Sequence, residues 1–416
     1  MTLYKQLLER ERASELIKVG VIGAGQMGFG MIAQISQIPG MSVTGISDIN
    51  IKNAQTAADY YNEHATNKEN IVVSDDLRKV IDSDNVEVVV DATGVPEVGA
   101  NIALEALKSK KHLVLLNVEV DITIGSLMHR LFENAGLVYT GSAGDEPAVT
   151  SDLFEFAKSM GMDVLVAGKG KNNPFLPTAN PDTCAAEARS KHMNSHMLAA
   201  FQDGTKTMAE MNLLSNATGL KPDIVGMHGI EGNLETTLEQ LDLKENGGVL
   251  NKFGVVDYVR GLAPGCFVIV KSDQAPVDAE LKYLKVGKGP HYILYRPFHL
   301  ASLETPNTCA KVILQHDYSI QPIGAPVSDT VAVAKREITA GEELDGIGGY
   351  SVRGVVETHV TQLQEGHIPV GLISGHVVAK KNIKLGTFLT LDDIELDAET
   401  SVYKLRTLQD RLFPAE

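Results

Sequence analysis

The chain has 416 residues, 44% of them hydrophobic, with 37 Lys and Arg against 53 Asp and Glu and a formal net charge of −16. That length predicts two or three domains with ample core, and the acidic balance argues against nucleic acid or an anionic membrane as the main partner. Three cysteines, Cys184, Cys266 and Cys309, lack CxxC spacing, which argues against a disulfide framework or a cysteine zinc site and fits a reducing cytosol.

No apolar run approaches the ~20 residues that span a bilayer. Residues 1–16 read as a charged leading helix without the apolar stretch of a secretory signal. From residue 17 to about 145, strands alternate with helices: Val19–Ile22, Val43–Ile46, Val86–Asp91, Leu113–Leu116 and Leu137–Thr140, with helical stretches such as Ile102–Lys110 and Gly125–Asn134 between them. Such alternation predicts βαβ units, a parallel sheet and helices on both faces.

The most telling segment follows the first strand. Gly23-Ala24-Gly25-Gln26-Met27-Gly28 places three glycines where a strand hands over to a helix, and Asp48 follows about 20 residues later at the end of the second strand. This is the dinucleotide fingerprint. Gly23 permits the turn, Gly25 admits the pyrophosphate, Gly28 lets helix and strand close up, and the helix N-terminus offers N–H groups to phosphate. An acid at Asp48 accepts from the adenine ribose hydroxyls and favours NAD over NADP, although Lys52 is an adjacent base. Asp91-Ala92-Thr93-Gly94-Val95-Pro96 leaves the next central strand where a doubly wound sheet exposes its crevice, and Pro96 fits a helix start. Cofactor contacts are expected at Gly23, Gly25, Gln26, Met27, Gly28, Asp48, Ala92, Thr93, Gly94, Asn117 and Glu119.

The middle of the chain changes character. Phe154–Met160 reads as a helix and Val164–Ala167 as a strand. Gly168-Lys169-Gly170-Lys171-Asn172-Asn173-Pro174 reads as a Gly-rich turn whose lysines and amides suit an anion or a polyhydroxy compound. A single helix is expected from about Ala185 to Leu214. It carries Glu187, Arg189, Lys191, His192, Asn194 and His196, then Asp203, Lys206 and Glu210 on one face if it runs through Gly204. An ammonium held near a carbonyl can stabilise and protonate the oxygen on which charge develops during hydride attack, and a second lysine lowers its pKa. The candidate catalytic residues are therefore Lys169, Lys171, Lys191, Asp203 and Lys206, with Asn172, Asn173, Arg189 and Arg296 binding substrate. His192 and His196 have metal-pair spacing, but no HExxH or carboxylate ligand pattern accompanies them, so no metal site is expected. His228, His291, His299, His359, His367 and His376 are scattered and read as ordinary surface or core histidines. Short strands follow, including Val268–Lys271 and Tyr292–Arg296, and a helix Leu300–Gln315 is expected to pack back on the first domain. From about Val331, two segments beginning at Val331 and Val377 resemble each other: alternating strand, charged segment, Gly turn, closing hydrophobe.

The two copies are similar to the halves of an SAF domain. Together with Leu116–Asp121, Ala143–Pro147, Gly168–Asn173 and Tyr295–Pro306, the fingerprint resembles the homoserine dehydrogenase superfamily, in the branch with a C-terminal SAF domain. That branch includes enzymes like 1-deoxy-D-xylulose 5-phosphate reductoisomerase and short-sugar dehydrogenases. The resemblance implies an α/β Rossmann domain at 1–150, an α+β catalytic and oligomerisation domain at 151–325 and a small β-rich SAF-like domain at 326–416. It further implies a cytoplasmic homo-oligomer, a dimer or tetramer, and an NAD(P)-dependent oxidoreductase acting on a polyhydroxylated or phosphorylated sugar carbonyl. Homoserine dehydrogenases carry a lysine after the asparagine equivalent to Asn117. Here Val118 and Glu119 follow, which turns the expectation away from homoserine. Asp203 and Lys206 fall near the family's second acid–lysine motif, one residue closer together. A divalent metal is expected only for the reductoisomerase form, held by acids such as Asp145, Glu146, Glu231 or Glu235. The alternatives are a tetrose or homoserine-type dehydrogenase, and a non-enzymatic NAD-sensing protein.

Overall fold

The computed structural model describes residues 1–191 and 193–414. The chain divides into two compact units. The first holds Met1–Asp145, Leu300–Gln321 and Glu399–Leu412; the second holds Glu146–His299 and Pro322–Ala398. Residues 326–398 thus group with the middle of the chain, and Glu399–Leu412 with the first unit.

The first unit is built on six parallel strands: β1 (Ile17–Ile22), β2 (Met41–Ser47), β3 (Val72–Ser74), β4 (Val88–Asp91), β5 (His112–Leu115) and β6 (Tyr139–Gly141). Their order is β3-β2-β1-β4-β5-β6, the doubly wound arrangement with a reversal between β1 and β4. β3 has no counterpart in the sequence expectation, because three residues are too few to show a period. Helices cover both faces, so the strands are apolar nearly throughout: Val19, Val21, Val43, Ile46, Val88, Val90 and Val114 share one core. Cys309, Ala310 and Val312 of the helix Thr305–Gln315 join that core, as does Leu7 of the leading helix Leu3–Ala13. The expected helix from Leu300 is therefore real but begins at Thr305, after a short 3₁₀ turn over Ala301–Leu303. The helix Ser401–Leu412 also belongs here. Its Gln409 and Arg406 both donate to Thr123 O, and the Leu127 N–H donates to Gln409 Oε1 at 3.0 Å.

The second unit carries a mixed sheet of β7 (Asp163–Lys171), β8 (Lys221–Pro222), β9 (Ile230–Glu231), β10 (Val255–Arg260), β11 (Cys266–Lys271) and β12 (Tyr292–Arg296). The order is β12-β11-β7-β10-β8, with β9 also on β10. β10 runs parallel to β7, and β11 runs antiparallel to both β7 and β12. Met208, Met211 and Leu214 of the helix Thr205–Thr218 pack on Val256, Val268 and Val270 of the sheet. The opposite face buries Leu165, Val255, Val259, Phe267 and Ile269 with Leu241 and Leu250.

Two expectations are corrected. The single helix over Ala185–Leu214 is three helices: Pro181–Ser190, Ser195–Gln202 and Thr205–Thr218. Asn194 caps the second through its side chain, and Gly204, at φ 92°, breaks the chain before the third. The lysine-rich segment is also not a loop, since β7 continues through Lys171. Its glycines are there because backbones crowd them. A Cβ on Gly168 would meet Asp257 O at 2.1 Å, and one on Gly170 would meet Ala263 N at 2.2 Å.

The C-terminal part of the second unit holds β13 (Ser328–Ala334), β14 (Val352–Thr358), β15 (Val378–Ala379) and β16 (Ile394–Glu395). The two repeat copies pair symmetrically. Ile338 and Ile383 exchange both N–H···O bonds, at 2.9 and 2.8 Å. The Ala334 N–H to Thr387 O bond is matched by Ala379 N–H to Glu342 O, and Gly341 N–H to Ala379 O by Gly386 N–H to Ala334 O. Exchanging the copies maps each bond onto its mate.

Candidate functional site

In the first unit the fingerprint forms the cradle that its spacing predicts. Gly23 has φ 98°, and a Cβ there would press on Ala92 O at 2.8 Å. A Cβ on Gly28 would lie 1.9 Å from Gly23 O, so the helix Gln26–Ile35 approaches the turn closely enough to admit glycine alone. Gly25 and Gly94 are different, because an added Cβ meets nothing within 4 Å at either. These two exposed positions face open space on the two loops flanking the reversal between β1 and β4. The arrangement fits a pyrophosphate against the helix N-terminus. Gln26 and Met27 are exposed beside it, and Ala92 and Thr93 are half-buried.

Asp48 braces the cradle. Its Oδ2 accepts the Ala24 N–H at 2.8 Å, and its Oδ1 accepts the Asn50 N–H at 2.8 Å. Asn117 is fully buried, and its amide donates to Asp91 Oδ2, Thr93 Oγ1 and Val95 O. Its side chain therefore orders the β4 loop from behind. Burial raises the Asp91 carboxyl to about 6, against the opposing hydrogen bonds from Thr93 and Asn117. Glu119 is buried in the first turn of the helix Val118–Asn134.

In the second unit Lys169 and Lys171, two apart on β7, project to the same face of the strand. Both are buried. The Lys169 ammonium bonds Glu146 Oε1 at 2.8 Å and also Glu210 Oε2. Burial works to lower its pKa, yet the two carboxylates hold it well above the ordinary lysine value. Burial likewise works to raise Glu146, and Lys169 and then His299 hold it down; His299 Nε2 lies 3.5 Å from Glu146 Oε1. Lys171 has no such carboxylate pair. Its Nζ donates to Phe201 O at 2.7 Å. Burial, and then the charge of Lys169, bring its pKa down to about 8.

Lys171 lines a cleft of about 810 Å³ together with Asn172, Asn173, Phe175, Asn233 and Arg260. Arg260 stands opposite Lys171 in the β7–β10 register and lies 3.6 Å from Glu231. It is a site candidate absent from the sequence expectations above. Its only signal there was a base at the end of a strand.

The remaining candidates separate. Lys191 forms an exposed pair with Glu187 at 2.6 Å, the kind of contact that contributes little. Arg189 is exposed on the same helix. Asp203 is not on a face with Lys206. It closes the preceding helix, is fully buried, and pairs with Lys335 at 2.8 Å. Lys206 is half-buried in the first turn after the Gly204 break. Arg296 is half-buried, with its guanidinium 4.6 Å over the Phe298 ring. His192 lies outside the described residues, and so does its spacing to His196. Glu146 and Glu210, the former a metal candidate from sequence, bind the protein's own ammonium. Those two carboxylates offer ligand oxygens within 4.8 Å of each other, and the Lys169 ammonium contacts both.

Residues 144–305 match the family described as "Oxidoreductase DRL, catalytic domain". Residues 17–116 match "Dihydrodipicolinate reductase, N-terminus". The dinucleotide cradle and the lysine pair thus lie in segments that are each similar to part of an oxidoreductase. No curated protein matches the chain.

Among solved structures, an NAD binding oxidoreductase from Klebsiella pneumoniae is similar at 15% identity and TM-score 0.32. The likeness covers 40% of this chain and 45% of that one, less than half its length. A structure described as "probable dehydrogenase from Thermotoga maritima" has 15% identity over 74% of this chain and 91% of that one, with TM-score 0.45. Myo-inositol dehydrogenase from Lactobacillus casei, in complex with NAD(H) and myo-inositol, has 18% identity over 42% of this chain and 53% of that one, with TM-score 0.32. Among the described residues no helix is long and apolar enough to cross a membrane.

Proposed function

We propose that the chain is a nicotinamide-dependent oxidoreductase acting on the carbonyl or hydroxyl carbon of a small polyhydroxylated or phosphorylated sugar, with Lys171 as its acid–base group. The observation that carries this is the lysine pair on β7: one ammonium locked by two carboxylates, and beside it a second brought down to about 8 at the wall of the cleft. A catalytic acid is most useful when its pKa lies near the working pH. Burial, and then like-charge repulsion from Lys169, bring Lys171 down.

A bound dinucleotide supplies or accepts the hydride. On reduction the C=O pair shifts onto oxygen, and the Lys171 ammonium stabilises that charge and then gives it a proton, leaving a neutral amine that water reprotonates. On oxidation the Lys171 amine takes the hydroxyl proton as the hydride leaves carbon. Asn172, Asn173 and Arg260 present donors at the cleft, which suits hydroxyls and an anionic group. Asp48 favours NAD.

The test is a panel of aldoses, ketoses and sugar phosphates assayed with each nicotinamide cofactor for the wild type and for Lys171→Ala. The variant should lose about 10²–10⁴-fold in kcat with dinucleotide affinity unchanged. Turnover untouched in Lys171→Ala, or none with any substrate in the wild type, would sink the reading.

A further inference from the structure

Lys335 lies just past β13, in the first copy of the C-terminal repeat, and its side chain is 1% exposed. It donates to Asp203 Oδ2 at 2.8 Å and to Ala179 O at 2.6 Å. The other oxygen of Asp203 accepts the Thr205 N–H at 2.9 Å. The corner from Asp203 to Thr205 is gripped further by the same β13–β14 hairpin. The Gly354 N–H donates to Thr205 Oγ1 at 2.8 Å, and the Arg353 guanidinium lies 5.9 Å over the ring of Phe175, a cleft residue. That ring packs on the corner itself, since a Cβ on Gly204 would come within 2.5 Å of it.

Two contacts of the lysine pair depend on this corner. Two residues before Asp203, Phe201 O receives the Lys171 ammonium. Five residues after Thr205, on the helix that the corner starts, Glu210 receives Lys169. A buried lysine–carboxylate pair is a poor device for stability, because apolar residues of similar volume often do as well or better. Its merit is a fixed geometry.

We propose that Lys335 is a positioning residue: by fixing the Asp203–Thr205 corner it sets where Lys171 and Glu210 stand, which gives the C-terminal repeat a part in the active site. This rests on the reading of Lys171 as the acid–base group.

The experiment compares wild type, Lys335→Met, Lys335→Arg and the paired variant K335M/D203N, which removes both buried charges together and so keeps a folded protein where the single change leaves Asp203 unpaired. Three quantities are read: kcat, dinucleotide affinity, and the titration of Lys171, followed by the pH dependence of its reductive methylation and located by mass spectrometry. The last needs no turnover. Lys335→Met and the paired variant should lose about 10²-fold in kcat, the scale set by misplacing a group by about 1 Å. Dinucleotide affinity should hold, the Lys171 titration should move away from about 8, and Lys335→Arg should recover most of both. A folded paired variant with wild-type kcat and an unmoved Lys171 titration would overturn the proposal. Normal turnover in Lys171→Ala removes the acid–base reading alone, while a Lys171 titration displaced further in K335M/D203N than in Asp203→Asn, which removes the Asp203 charge alone, still upholds positioning.

Discussion

Two residues apart on β7, Lys169 and Lys171 share a strand, a face and burial, and differ in what stands beside the ammonium. Carboxylates on both sides fix the first as a cation, while a backbone carbonyl and a like charge leave the second near its switching point. Burial and Lys169 lower Lys171, whereas Glu210 opposes them. Glu210→Gln keeps the side-chain shape and an acceptor for Lys169 but removes that opposing charge, so the Lys171 pKa should fall below about 8. Reduction needs the ammonium, and its rate is lost as pH rises through that pKa. The alkaline limb of the reductive pH profile should therefore move to lower pH in Glu210→Gln, and the limb for oxidation should move with it. An unmoved limb would mean that another group titrates. Both lysines were legible in the sequence as bases on a Gly-rich segment. Which of them is free to exchange a proton was not, because the deciding groups, Glu146, Glu210 and Phe201, are brought in from three other helices.

At the level of elements, the strand–turn–helix of residues 17–35 was readable because each glycine answers a local constraint of the turn. Two of those constraints can be separated by experiment. Gly28→Ala drives a methyl into Gly23 O and should lower the melting temperature as well as dinucleotide affinity. Gly25→Ala meets no protein atom and should leave the melting temperature in place while weakening the dinucleotide. Equal stability losses in the two variants would contradict the cradle. The helix expected over 185–214 failed for the complementary reason. Three successive helices each bury apolar residues, among them Ala188, Leu198, Ala199, Met208 and Met211, so periodicity alone runs across the breaks. The interruption lies in Asn194, which caps, and Gly204, which adopts a left-handed backbone. Likewise, Gly168-Lys169-Gly170-Lys171 reads as a turn by composition. It is a strand because backbones from Asp257 and the 262–263 segment press on the glycines, a crowding between segments some 90 residues apart that local sequence does not encode.

On the scale of the whole chain, the internal repeat of the C-terminal region was visible in its spacing, and its two copies pair as mates. The return of the helix near Leu300–Gln315 to the first unit was expected, but that of the last stretch was not, because it depends on contacts between residues hundreds apart. The first unit draws on three separate stretches, the last being Glu399–Leu412. In that stretch the Ser401 and Val402 N–H groups bond the Glu97 carboxylate, and Gln409 satisfies both the Leu127 N–H and Thr123 O. Removing residues 399–416 takes Gln409 away from the buried Leu127 N–H and Thr123 O, each such loss costing about 1–3 kcal/mol, and leaves the Glu97 carboxylate without two donors. The truncated protein should melt at lower temperature and regain less of the loss on adding dinucleotide than the full chain gains; an unchanged melting curve would contradict this. The same allocation bears on synthesis. A chain is made from its N-terminus at about 5–20 residues per second, and domains usually fold as they emerge. Here the strands of the dinucleotide-binding unit leave the ribosome well before the helix that covers Thr123 and Leu127, which comes nearly 300 residues later. For all of that interval the nascent unit carries an uncovered face, a task for chaperones that a unit built from one contiguous stretch would not impose.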